Sequence, residues 1–197
     1  MRVLRRTNSK ASFLGTVGFT LAEILIALAL IAVLAAVLLP TVAGQIAKGD
    51  AGRTMQDLNA VRAGIDQFLA DVHRYPKLVS HLTTKVTASD RDVNGALYPS
   101  GLASKWSGPY INKVLNDATP PAIPTGSGAG IQDSLARIAI GAVQYVTVRI
   151  HPLDSAAFAR LDLEIDGPSA SWTNAQTLGL LRRVTGDTVK YLAAPIQ

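Results

Sequence analysis

Glu23 is the first residue in this chain whose type and position together call for chemistry. It follows Gly18-Phe19-Thr20-Leu21-Ala22 and precedes an unbroken run of apolar and small residues to Leu39, closed by Pro40. An ionised side chain in hydrocarbon costs about 2.5–3.5 kcal/mol on insertion scales, so Glu23 needs a partner or a functional reason to be there. A second acidic group, Asp162, Glu164 and Asp166, stands just before Gly167-Pro168. Hard oxygen ligands beside a loop can hold Ca2+. Period-two spacing would set these acids on one side of an extended segment, whereas a helix would scatter them. Helix capping and solvation is the weightier reading of the same three residues.

Other reaction chemistries fail for want of parts. His73, His81 and His151 lack metal-ligand spacing, and the chain has no cysteine, which removes disulfides, thiol nucleophiles and thiolate metal sites. Gly126-Ser127-Gly128-Ala129-Gly130 neither forms a nucleophile elbow nor sits between a strand and a helix as a phosphate loop does. Glu23 and Glu164 are the only glutamates, which leaves few choices for an acid and base pair. No catalytic residue is assigned, and the chain reads as a building block rather than an enzyme.

The element that must position Glu23 is a helix. From Phe19 to Leu39 the run is long enough to span about 30 Å of hydrocarbon at roughly 1.5 Å per residue. Ahead of it, Arg2, Arg5, Arg6 and Lys10 carry positive charge with no acid among residues 1–18. Such a leader stays on the cytoplasmic side, so the helix exits outward. The formal net charge of +5 falls to +1 without those four cations, so the basic balance belongs to the leader. Of the remaining clusters, Arg182-Arg183 with Lys190 is the densest, and it reads as a solvated face, with no nucleic-acid partner expected. An ordinary secretory signal with cleavage after Thr41-Val42-Ala43 is a competing reading, but its apolar core would be roughly 7–15 residues and free of acid.

Basic leader, Gly18, Phe19-Thr20-Leu21-Ala22-Glu23, a long apolar run and Pro40 resemble the type IV pilins and the pseudopilins of type II secretion. The resemblance implies cleavage by a prepilin peptidase between Gly18 and Phe19 and N-methylation of the new Phe19 amine. It further implies that Glu23 pairs with the Phe19 amine of a neighbouring subunit in a filament. The missing partner is thereby supplied, and a paired buried charge is far cheaper than a single one. Many adhesive major pilins close a C-terminal loop with a disulfide and the principal pseudopilin typically does not, so the lack of cysteine tilts the resemblance toward secretion.

Beyond Pro40 the helical pattern continues with one apolar face. Leu58, Val61, Ile65, Phe68 and Val72 recur at steps of three and four, as on an amphipathic helix lying on a core. The opposite face offers Arg53 with Asp57, Arg62 with Asp66, Asp50 with Arg53 and Asp71 with Arg74, pairs worth about 0.2–0.5 kcal/mol each on a solvated face. A helix from Phe19 to about His73 would be roughly 80 Å long. Pro40, Gly44, Gly49 and Gly52 make its middle the weakest part, so a kink or local melting at Pro40 is expected in an assembled filament. The helix should stop near Arg74-Tyr75-Pro76.

That helix end and Trp106-Ser107-Gly108-Pro109-Tyr110 resemble segments of the major pseudopilins, whose C-terminal calcium loop is the further implication for Asp162, Glu164 and Asp166. The Asp-Pro-Trp-Gly-x-Pro-Tyr segment expected next is absent. Leu78 to Val86 reads as a short helix, Thr87 to Leu97 and Asp117 to Gly130 as loops, and Ile131 to Ile140 as a short helix with Ile131, Leu135 and Ile138 on one side. Gln144 to Ile150 alternates as a strand with Val146, Val148 and Ile150 inward. Asp154 caps a helix to about Glu164 with Phe158, Leu161 and Ile165 inward, and Leu178 to Val184 pairs with Thr188 to Ala194 around Gly186-Asp187.

The fold expected is α+β, a pilin-like lollipop whose long N-terminal helix packs on a small antiparallel sheet. Its parts are a cleaved leader (1–18), a transmembrane helix (19–39), the amphipathic second half of the stem (40–74) and a periplasmic globular domain (75–197). The function this implies is that of a structural subunit polymerised into a pseudopilus or pilus-like filament. Its partners would be other pilins or pseudopilins, the prepilin peptidase and an inner-membrane assembly platform. It would sit in the inner membrane, N-terminus cytoplasmic, with no cofactor unless calcium. A membrane-anchored exported binding domain that never polymerises and a DNA-uptake pilin using Arg182 and Arg183 are the alternatives.

Overall fold

Helix α1 runs from Leu21 to Val72, with Pro40 inside it. The computed structural model describes residues 18–126, 128–168 and 179–196, and the chain falls into two units, Met1–Val42 and Ala43–Gln197. In the first unit, residues 19–39 are exposed apart from a half-buried Ala35. This part of α1 is apolar and long enough to cross a membrane. The leader expected over residues 1–18 lies outside the described residues except for Gly18.

In the second unit α1 changes character, because its sequence does. Leu58, Val61, Ile65, Phe68 and Val72 are fully buried, as their spacing predicts. The helix ends where the proline requires: His73 takes a positive φ of 58°, its N–H still donating to Leu69 at 2.9 Å, and the chain leaves through Arg74-Tyr75-Pro76. A single 3-10 turn, Val79–Leu82, replaces the short helix expected over Leu78 to Val86, and a one-turn helix α2 follows at Ser100–Ala103.

The sheet is antiparallel and five-stranded. Its strands are β1 (Ala122–Pro124), β2 (Gly130–Ile140), β3 (Val143–His151), β4 (Leu181–Arg183) and β5 (Val189–Ile196), in the spatial order β1-β2-β3-β5-β4. Helix α3, Ser155–Ile165, is inserted after β3; its N-cap Asp154 accepts the Ala157 N–H at 2.7 Å, and Phe158 and Leu161 are buried. Val146, Val148 and Ile150 of β3 are unexposed, and with Ile131, Leu135, Val189 and Tyr191 they form one core with the α1 stripe. The fold class is thus α+β, a long apolar N-terminal helix with a small antiparallel sheet.

Two expectations are corrected. Ile131 to Ile140 is strand, not helix. Its pairing with β3 slips between Ile131 and Leu135, so two buried residues stand four apart and imitate a helical step. The Asp117 to Gly130 stretch is not all loop, because β1 pairs Ile123 with Ile131. The loop that returns from β1 passes so close to α1 that a Cβ on Gly126 would lie 3.0 Å from Asp50 Cα. Glycine is needed there for space.

Candidate functional site

The N-terminal site is built by one turn of helix. Thr20 precedes α1, and Glu23 stands in its first turn. The Glu23 carboxylate Oε2 accepts the Thr20 N–H at 2.8 Å and the Thr20 hydroxyl at 2.9 Å, while Thr20 Oγ1 accepts the Glu23 N–H at 3.2 Å. This reciprocal pair is a capping box, written in the sequence as Thr-x-x-Glu. Glu23 therefore has a partner inside its own chain, one that sequence reasoning missed although the spacing encodes it. Phe19 is 84% exposed just ahead, next to Gly18. Farther along, Pro40 withholds an N–H from the helix and the Thr41 hydroxyl donates to Leu38 C=O at 2.8 Å.

In the second unit the charged face expected of α1 is put to other uses. Asp57 is buried and pairs with Lys113 at 2.6 Å, and Arg74 pairs with the buried Asp92 at 3.3 Å. Asp92 also accepts the N–H groups of Asn94 and Ala96, which folds the 87–97 stretch around it. Asp71 takes the Ser107 hydroxyl and the Tyr110 hydroxyl, the latter at 2.9 Å. Those two hydrogen bonds hold its carboxyl below the usual range. The Trp106 to Tyr110 segment is thus laid against the stem: Trp106 Nε1 donates to His81 C=O at 2.9 Å, and Tyr110 packs edge-on against Phe68 and Trp106. Gly64 makes room, since a Cβ there would sit 2.5 Å from Ile111 Cγ2.

His81 is buried beneath this segment, edge-on to Tyr98. Burial lowers its pKa, and the charges of Asp90 and Asp133 only partly oppose that. The unfolded chain, with a histidine near 6.5, then binds the proton more readily than the folded one. The stability that His81 contributes should be fully present above about pH 6.5 and fall as the pH drops below it. A urea midpoint series between about pH 7.5 and 5 on the full chain should show this slope, and His81→Gln should flatten it. An equal slope in the variant would assign the effect elsewhere.

The three acids near Gly167 do not converge. Asp162 is buried on α3 with Oδ1 unpartnered, and burial, with the charge of Asp166 adding to it, pushes its carboxyl up to about 6. Glu164 is exposed. Asp166 caps α3 and accepts the N–H groups of Leu180 at 2.8 Å and Leu181 at 2.9 Å. The helix turns the exposed Glu164 away from Asp162 and Asp166, and among the described residues no three acidic or histidine groups gather around one ion position. The described residues do not fit a calcium ion. His151 meets the Thr188 hydroxyl at 3.1 Å, and Arg182 Nε donates to Gly179 C=O at 3.1 Å.

Comparison with known proteins finds no matching family model and no matching solved structure. Among curated proteins the chain is 32% identical over 84 residues to the type II secretion system core protein G of Klebsiella pneumoniae, covering 43% of this chain and 60% of that protein. It is 34% identical over 71 residues to the core protein G of Escherichia coli K12, covering 36% and 49%. For the one of Pectobacterium carotovorum the figures are 29% over 83 residues, 42% and 53%. The match therefore spans about half to three-fifths of the length of these relatives. Residue pattern, fold class and similarity point the same way, and over part of its length the chain is similar to the core protein G of type II secretion systems.

Proposed function

We propose that this chain is a structural subunit that polymerises into a type II secretion pseudopilus or a related pilus-like filament. The observation that carries the reading is the first part of α1, exposed from Phe19 to Leu39 except at Ala35, with a single carboxylate near its start. In a monomer that surface is covered only by lipid. In a filament, small residues at Ala27, Ala32, Ala35 and Ala36 let neighbouring helices approach closely. A prepilin peptidase cuts between Gly18 and Phe19, the Phe19 amine is methylated, and Glu23 meets the amine of the next subunit. The 19–39 segment spans the inner membrane with the N-terminus cytoplasmic. The rest lies in the periplasm, and an inner-membrane platform drives assembly. Pro40 is where the helix bends or melts as subunits leave the bilayer.

The part of the chain after Pro40 contributes no reaction in this reading; it supplies the outer surface of the filament. The test is the intact mass and the N-terminal peptide mass of the protein purified from its own membranes. A chain beginning at methylated Phe19 is expected. One beginning at Gly44 would mean conventional signal cleavage and one beginning at Met1 a plain anchor, and either would overturn the filament reading.

A further inference from the structure

The two rims of the sheet in the Ala43–Gln197 unit are finished differently. At one rim β4 covers β5 over Val189–Tyr191, and the Leu192 N–H donates to Leu180 C=O. Beyond it Pro195 has no N–H to offer, and its carbonyl accepts the Tyr75 hydroxyl at 3.1 Å. At the other rim β1 covers β2 over Gly130–Gln132 only, after which the Asp133 N–H goes to Pro121 C=O and the Leu135 N–H to Lys77 C=O. Past Leu135 no backbone bond covers that rim among the described residues, and the Arg137 guanidinium donates to Asn94 Oδ1 at 2.7 Å.

Strand geometry says which groups it presents. The turn at Gly141-Ala142 leaves Ile140 opposite Val143, and in a two-residue hairpin that flanking pair exchanges both ladder bonds. Ile140, Ile138 and Ala136 therefore point their backbone groups at β3. Arg137 and Ala139 point theirs outward, on the side of the Leu135 N–H. Both residues are exposed, and among the described residues neither has a backbone partner on that side. Half-buried Ile138 and Ile140 and the exposed Val143 lie around this edge. An open strand edge is a template for another chain.

The same rim carries a segment that suits it. Residues 106–116 run without helix, turn or bend. Tyr110 N–H donates to Leu82 C=O, Asn116 N–H donates to Ala122 C=O, and Lys113 is tied to Asp57. Between these anchors the N–H groups of Asn112, Lys113, Val114 and Leu115 have no backbone partner among the described residues. Val114 is 84% exposed, more than any other large apolar side chain described in this unit. A segment already pinned at both ends loses little freedom on docking. It lies beside β1, while the open edge lies about 20 Å farther along β2, six residues at roughly 3.3 Å each. A copy displaced along the strand direction brings one onto the other, and Asp117 beside the segment then faces Arg137 on the edge with opposite charge.

We propose that residues 112–116 of one copy add as an edge strand to Arg137–Ala139 of the next, with Val114 set against the apolar side chains around the β2–β3 turn. The two surfaces differ, so the contact is head-to-tail and repeats without closing. It rests on the filament reading and names the contact between neighbouring outer surfaces.

The chain has no cysteine, so disulfide trapping has no background. The full chain carrying Val114→Cys with Ile138→Cys, which shares a strand face with Ile140 and Val143, expressed with its assembly machinery and oxidised in membranes, should give a ladder of covalent multimers, and neither single variant should. Adding Arg137→Pro, which removes one outward N–H and leaves the bonds to β3, should abolish the ladder. A ladder that survives it, no ladder at all, or dimers from Ile138→Cys alone would overturn the contact. Ala27→Cys reports helix packing separately. Ala27→Cys dimers without the ladder would leave the filament standing and sink this contact, whereas the absence of both would sink both.

Discussion

Glu23→Ala should abolish filament assembly while the leader is still removed. In the membrane-embedded chain the carboxylate is satisfied by Thr20 alone, through two bonds at 2.8 and 2.9 Å. In the filament proposed above, assembly would offer it a full positive charge, the Phe19 amine of a neighbour. Removing the carboxylate would leave that amine without a partner where water is excluded, so sheared filaments should fall on the order of a hundredfold. Glu23→Gln keeps the length and one acceptor but not the charge, and should assemble far below the parent. Thr20→Ala removes the hydroxyl and keeps the N–H, so it should have a smaller effect. Shearing filaments from cells and weighing the processed subunit in each fraction reads both steps. Normal filaments from Glu23→Ala would remove the role given to this residue.

Lys113→Met should destabilise the soluble unit by about 2–3 kcal/mol, and Asp57→Ala by less. The asymmetry follows from position. The Asp57 side chain is 4% exposed and the Lys113 side chain 37%, so removing the lysine strands a buried charge, whereas removing the aspartate frees an ammonium that can turn into water. The larger figure is held below the usual cost of breaking a buried pair because water reaches Lys113. Urea unfolding of the two single variants and the double variant gives the coupling directly. The double variant should recover part of the loss, and three additive values would mean that the pair is not coupled.

Much of this was legible before any coordinates, for identifiable reasons. The α1 stripe was readable because five buried residues keep one helical period and Tyr75-Pro76 ends it. Strand β3 was readable because its alternation is uninterrupted, and α3 because Asp154 is a local capping signal. What failed was non-local. Ile131 and Leu135 resemble a helix only because β2 changes partners between them, a slip no window of sequence contains. The charged pairs on α1 were read as neighbours along a helix, yet Asp57, Asp71 and Arg74 take their partners from residues 36 or more positions away or, for Arg74, 18 away. At the N-terminal site Glu23 was conspicuous by its surroundings. Its bond to Thr20 is encoded only by the three-residue spacing of a capping box, a weaker signal than a lone acid in an apolar run.

The long connection from the end of α1 to the sheet is held to the stem by Lys113 on Asp57, by Arg74 on Asp92, and by the Ser107 and Tyr110 hydroxyls on Asp71. Every one of these fasteners is a carboxylate receiving a donor, and none is covalent. Such a domain can mature without an oxidant and is indifferent to reductant. Its weakness is acid, because Asp71, whose carboxyl is held low by its two hydroxyl partners, loses that contribution as the pH falls through its depressed pKa. A subunit exported into a compartment of variable thiol chemistry would keep its shape there, and would loosen first wherever protons accumulate.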